Sequence, residues 1–372
     1  MTQTPEGGRS PALDVIRCVA CFCVISVHSC IYTGFYAMLR DGGAPALLML
    51  VRIVSMCCVP LFMLLSGYLL CHKTCSAAYY RKAGKTVFIY IAASLFCVYG
   101  YPFLYTHLAG LLGLPCQAFA PVRFFRDGVL KILDFSAAPY AWYVEMYLGL
   151  FLIVPFLNLL YEALATKKQK TIFLLIGILL TILPRFFNAL WHKESADAAL
   201  SYQKLLPQWW AQMYPLTYYF LGCCFREYRP AVRPWKCLAF ASGAAALVFL
   251  LGRMFPGDLA EWCEWNSPWN LLFSASLFLF FLNLDYSRVS QPVKRALARL
   301  SDLALGAYLV SWAFDGLFYP AVRARVEWRR APGYVLVLIP LVFVCSLCVS
   351  FCISSLYRLT AGAVSRSFRK RS

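Results

Sequence analysis

The sequence predicts an all-α, polytopic membrane helix bundle of about ten transmembrane helices, with both termini cytoplasmic. Three observations carry this expectation. The 372 residues are 61% hydrophobic but only 14% charged, whereas soluble domains are about 25% charged and 45–50% apolar. Apolar runs of spanning length recur along the whole chain. Basic residues collect in alternate connecting segments. A single transmembrane domain is expected over 1–372, with residues 358–372 forming a basic cytoplasmic tail.

A helix crossing a ~30 Å hydrocarbon core needs about 20 mostly apolar residues. The first such run, 12–34, holds Asp14 and Arg17 near its start and is longer than the apolar region of a signal peptide. It is expected to span the membrane and not to be cleaved. The second, 44–70, carries Arg52 and ends near Ser66-Gly67. The third, 86–108, follows Tyr80-Arg81-Lys82. A long outer loop, 109–139, comes next. Its stretch Val122–Asp134 mixes apolar and charged residues, as a helix lying on the surface does. The fourth run, 140–161, opens with Trp142, Tyr143 and Glu145. The fifth, 171–190, follows three lysines. The sixth, 208–225, begins at Trp209-Trp210. The seventh and eighth cover 235–255 and 267–285. The ninth, 301–320, contains Tyr308 and Asp315, and the tenth covers 332–357.

Orientation follows from the positive-inside rule. With the N-terminus inside, the inner segments carry Lys73, Arg81, Lys82 and Lys85; Lys167, Lys168 and Lys170; Arg226, Arg229, Arg233 and Lys236; Arg288, Lys294, Arg295 and Arg299; and Arg358 with the tail. The outer segments carry fewer. Topology thus explains the net charge of +18 without nucleic acid as a partner. The partner implied is the lipid bilayer. Tryptophans near run ends, including Trp262, Trp265 and Trp328, fit an interfacial belt.

Most of the 17 cysteines lie inside apolar runs, where cysteine behaves as a small hydrophobe. Cys116 and Cys263 fall in predicted outer loops, where a disulfide between them is open. No His, Cys and carboxylate group has metal-site spacing, so no metal is expected.

Charges inside hydrocarbon are costly and usually face a cavity or a partner. Arg17 and His28 are eleven residues apart, which is three helical turns plus about 20°. They therefore share one face, about 16 Å apart along the axis. Asp14, one turn before Arg17, is placed to pair with it. Helix rise puts His28, Arg52, Glu145 and Asp315 at similar depth in the outer half, which predicts a polar cavity. A structural ion-pair network is the competing reading. Histidine suits proton transfer near neutral pH. His72 and His107 sit at predicted helix ends and His192 in an outer loop, so His28 is the one histidine well inside a run.

At these residues the chain resembles the acyltransferase family 3 membrane proteins. Leu13 through Ala20, followed by His28, is similar to the family's first helix, in which arginine is followed after ten residues by histidine. Phe62 through Leu69 resembles an aromatic-rich Ser-Gly-Phe-Leu segment, and Tyr80-Arg81-Lys82 the basic entry to the third helix. Trp142-Tyr143, Leu152 through Pro155, Phe220-Leu221-Gly222 and Leu305 through Leu309 match later landmarks in order. Ser311 stands where many members have histidine. The resemblance, to stand-alone members without an esterase-like domain, implies an acyl-CoA donor, often acetyl-CoA, bound from the cytoplasm and not held permanently. It implies a hydroxyl or amine acceptor on an envelope glycan or lipid-linked sugar, and a bacterial inner membrane.

On this reading His28 is the catalytic base, or forms an acyl-histidine intermediate, with Arg17 as the other catalytic residue on the same helical face. Arg17 and Arg81 meet the donor's phosphates. Ser66 and Gly67 contact the donor, or serve tight helix packing. Trp142, Tyr143 and Tyr308 line the cavity, while Arg52, Glu145 and Asp315 orient the acceptor and Asp14 supports Arg17. The rival is a transporter or flippase for a glycan or lipid-linked intermediate, which would release no free CoA from acyl-CoA.

Overall fold

The computed structural model describes residues 9–119, 122–194 and 206–369, and among these there is no β-strand. The helices in chain order are α1 (Pro11–Tyr32), α2 (Phe35–Arg40), α3 (Ala46–Ser55), α4 (Cys58–Leu70), α5 (Ala77–Tyr80), α6 (Ala83–Leu95) and α7 (Tyr101–Leu112). They continue with α8 (Lys131–Leu133), α9 (Trp142–Ala163), α10 (Lys167–Thr181), α11 (Leu183–Glu194), α12 (Tyr214–Tyr228) and α13 (Pro234–Met254). The last are α14 (Leu259–Trp262), α15 (Pro268–Asn283), α16 (Gln291–Arg323) and α17 (Val335–Arg369).

Local chemistry sets many of these boundaries. Thr166 and Gln169 form a reciprocal capping box at the start of α10. Ser267 accepts from the Asn270 amide, and Pro268 opens α15. Gly113 closes α7 in the left-handed conformation at φ 64°. A π-helical turn, Phe96–Gly100, joins α6 to α7 without breaking the rod. Proline lies inside α9, α16 and α17 at Pro155, Pro320 and Pro340, as membrane helices tolerate.

Each of the ten apolar runs lies largely within helix. Among the described residues, seven helical segments are long and apolar enough to cross a membrane: Pro11–Tyr32, Ala46–Leu70, Ala77–Leu112, Trp142–Ala163, Lys167–Asn188, Pro234–Met254 and Pro332–Ala361. The sixth and eighth runs form helices of 15 and 16 residues. The ninth lies inside the 33-residue α16, which begins ten residues earlier in a charged stretch. Large apolar side chains face outward in stripes, such as Leu152, Phe156, Leu159 and Leu160 on α9 and Ile172, Leu175, Ile176 and Leu179 on α10. Helical spacing puts each set on one face. Apolar stripes of this kind mark a membrane surface.

Three expectations need correction or restriction. His192 lies in α11, not in a loop. The predicted tail is a continuation of α17 as far as Arg369, and residues 370–372 lie outside the described part. Cys116 and Cys263 are both free thiols; Cys116 is exposed, whereas Cys263 is buried with its thiol 3.9 Å from the Ala260 carbonyl.

The chain folds as two compact units. One comprises Met1–Val27, Phe35–Thr74 and Val154–Ala298, and the other His28–Gly34, Cys75–Ile153 and Arg299–Ser372. The core of the first is the crossing of α4 and α12. A side chain at Gly67 would strike the Tyr219 carbonyl, and one at Gly222 would strike the Leu64 carbonyl. Two glycines thus let the backbones touch. Buried Asn158 secures the crossing, donating to the Leu70 and Lys73 carbonyls at 2.7 and 2.8 Å and accepting from the Tyr219 hydroxyl at 2.7 Å. In the second unit, Tyr79 donates to the Phe151 carbonyl at 2.6 Å. Ser350 of α17 donates to the Leu303 carbonyl of α16 at 2.7 Å, where Gly306 makes room.

Candidate active site

The candidate site lies in the second unit and is built around the last turn of α1. His28 is half-buried there. Its imidazole lies flat against the Tyr140 ring, with centroids 3.5 Å apart and planes inclined by 12°. Tyr140 sits in the turn just ahead of α9 and is only 5% exposed. Its hydroxyl donates to Asp315 Oδ2 at 2.9 Å and lies 3.4 Å from the Tyr32 hydroxyl. Its backbone carbonyl accepts from the Tyr308 hydroxyl. Asp315 is fully buried on α16. Tyr143 packs edge-on to Tyr308, with ring centroids 6.1 Å apart. Tyr32, one turn after His28, stacks on Tyr319, one turn after Asp315.

The turn carrying Tyr140 has its own supports. Tyr90 donates to the Ile132 carbonyl at 2.6 Å and stacks on Phe135. Phe135 adopts φ 59°, an uncommon conformation for a bulky residue. Asp134 fixes the next residues by accepting from the Ser136 hydroxyl at 2.6 Å and amide at 3.0 Å. These two bonds hold the Asp134 carboxyl below its ordinary pKa.

Several of the residues singled out from sequence lie together here: His28, Tyr143, Tyr308 and Asp315. Trp142 is partly exposed beside Tyr143. Glu145 is exposed on the first turn of α9 and is not drawn into the group. Arg81 is exposed ahead of α6.

Arg52 belongs to the first unit. It pairs with Glu264 at 3.0 Å, and its guanidinium lies 5.5 Å from the centre of the Tyr36 ring. Asp14 is gripped by Arg9 through two bonds of 2.8 Å, whereas Arg17 approaches only to 3.8 Å. Ser66 donates to the Phe62 carbonyl one turn back at 2.8 Å. Gly67 is filled by the helix crossing already described. Both residues serve helix packing, one of the two roles the sequence allows them.

The sequence reading missed Tyr140, Tyr32, Tyr319 and Glu264, and took Arg9 only as a basic residue of the inner side. The signal for two of them was present, since Tyr32 and Tyr319 lie four residues after His28 and Asp315 on the same helical faces. Among the described residues, no group of three His, Cys, Asp or Glu side chains is arranged to hold a metal ion.

A half-buried imidazole with fixed orientation, backed by tyrosines and a buried carboxyl, can take a proton from a hydroxyl or amine brought to it. The fold and these side chains define a multi-pass helical membrane protein with a polar site beside its first helix. The acyltransferase domain family matches residues 10–358, and the chain belongs to it as a member of acyltransferase family 3, the membrane acyltransferases. No curated protein and no solved structure matches the chain.

Proposed function

We propose that the protein moves an acyl group, in the first instance acetyl, from acyl-CoA on the cytoplasmic side to a hydroxyl or amine of an envelope glycan or lipid-linked sugar. The membrane is proposed to be a bacterial inner membrane, crossed about ten times with both termini inside. The family assignment supplies the reaction class, and the charge pattern of the connecting segments favours this orientation.

The observation that carries the mechanism is the His28 ring, held against Tyr140 at 3.5 Å on the first helix. In the proposed reaction the imidazole takes the acceptor's proton while its oxygen or nitrogen attacks the thioester carbonyl. The tetrahedral intermediate collapses with cleavage of the carbon–sulfur bond. The departing CoA thiolate then receives the proton from the imidazolium. Arg17, three turns earlier on α1, is the residue proposed to meet donor phosphates, as guanidinium groups do well. Arg81 is a separate candidate for that chemistry. Tyr143 and Tyr308 are proposed to line the acceptor side.

Membranes holding His28→Ala at matched protein level should fail to transfer label from radiolabelled acetyl-CoA. Full transfer would remove His28 from the chemistry. Mass spectrometry of envelope glycans and lipids, with and without the gene, should show one acyl substituent lost.

A further inference from the structure

We infer that Tyr140 and Asp315 form a positioning pair that sets the plane of the His28 imidazole for proton transfer; this rests on His28 being the base. The contact from Tyr140 to His28 is a ring stack, so Tyr140 acts by fixing orientation and not by exchanging a proton with the imidazole. An aromatic ring can do this only if it is itself immobile. Three polar anchors fix this one: the Asp315 carboxyl and the neighbouring Tyr32 hydroxyl at its tip, and the Tyr308 hydroxyl on its backbone carbonyl.

Asp315 is the informative member. A carboxyl with no exposed surface is expensive to bury unless its oxygens are satisfied. Here Oδ2 receives the Tyr140 hydroxyl, while Oδ1 has no hydrogen-bond partner among the described residues. A leucine would suit packing better, since a half-satisfied buried polar group destabilises. Such a group in a native fold calls for a reason beyond stability. Holding Tyr140, and through it His28, is the reason the contacts give. The pair also explains why α16, the α9 approach and α1 converge on one histidine.

The test uses the full-length protein in native membranes, with radiolabelled acetyl-CoA as donor, and separates kcat from KM. Tyr140→Leu removes the ring, Tyr140→Phe keeps the ring but loses the hydroxyl, and Asp315→Asn weakens the bond by replacing the carboxyl with a poorer amide acceptor. Tyr140→Leu should lower kcat about tenfold or more, since small misplacements of catalytic groups are costly, with the donor KM changed less than about twofold. Tyr140→Phe should recover only part of that loss, because its ring has lost the bond to Asp315 that holds it. Tyr140→Phe combined with Asp315→Asn should be no slower than the worse single variant, because both act through one bond.

A wild-type kcat in Tyr140→Leu overturns the inference, as does full additivity in the double variant. Should Tyr140→Leu fail to reach the membrane, the Phe and Asn variants decide by that same additivity. His28→Ala distinguishes the two levels. If it is inactive while Tyr140→Leu is normal, only the positioning role falls; if it is active, the base assignment falls as well.

Discussion

Arg52 and Glu264 form an ion pair at 3.0 Å in which the arginine side chain is 7% exposed and the glutamate 20%. The asymmetry makes a directional prediction. Removing one partner of a buried pair strands the other, at a cost of about 3–5 kcal/mol. The stranded charge is more deeply buried when the glutamate goes. Glu264→Ala should therefore lower the melting temperature in detergent more than Arg52→Met does. Replacing both by apolar residues of similar size should recover much of the loss. Equal melting of Glu264→Ala and the native protein would mean that the pair is solvated and unimportant.

The α4–α12 crossing predicts a sharp contrast among glycines. Gly67 and Gly222 each face a carbonyl of the opposite helix, so valine at either should abolish folding or drive the helices apart. Gly149 and Gly243 have open space around them, and alanine there should be harmless. Ser66→Ala loses only a bond to its own helix and should keep both stability and acyl transfer. Stability is read by detergent melting and activity by label transfer. Loss of transfer in well-folded Ser66→Ala would restore the donor contact as its function.

The Asp134 turn carries a pH prediction. Its carboxyl has a folded pKa below the ordinary value, owing first to the Ser136 hydroxyl and then to the Ser136 amide. A depressed carboxylate adds stability above its unfolded pKa and loses it as pH falls through the folded one. The protection factor of the Ser136 amide, its exchange relative to the unstructured rate at the same pH, should therefore fall only when pH drops below the usual carboxylate range. Asp134→Asn should show the lower protection already at neutral pH. The group is exposed, so salt should weaken the effect.

Composition and run length foretold the helical membrane class, because the bilayer imposes about 20 apolar residues per crossing. The same argument located the helices of all ten runs but could not tell a 15-residue helix such as α12 from a full span. His28 and Arg17 were legible because eleven residues fix a helical phase. Tyr140 was not, because it lies in a turn where no periodicity operates, and its three partners come from α1 and α16, more than a hundred residues away. Glu264 was hidden likewise, since Arg52 finds it 212 residues downstream. Depth along a helix says which residues are level with one another, but not which of them face each other.

The Asp14 cluster separates two arginines that look alike in sequence. Arg9 makes both 2.8 Å bonds to Asp14 and a third, of 2.6 Å, to the Ala298 carbonyl. It ties the start of α1 to the start of α16. Arg17 stands 3.8 Å from the same carboxylate with 29% of its side chain exposed, a weaker hold on the pair. Arg9→Ala should therefore lower the melting temperature while leaving the donor KM close to native. Arg17→Ala should lower the melting temperature less than Arg9→Ala does. If its guanidinium meets donor phosphates, losing a charge-assisted bond worth about 1.5–3 kcal/mol raises the donor KM roughly tenfold or more. Arg17→Lys should recover little of this where a bidentate grip is needed. An unchanged donor KM in Arg17→Ala would move the phosphate site away from α1 and leave Arg81 as the residue to test next.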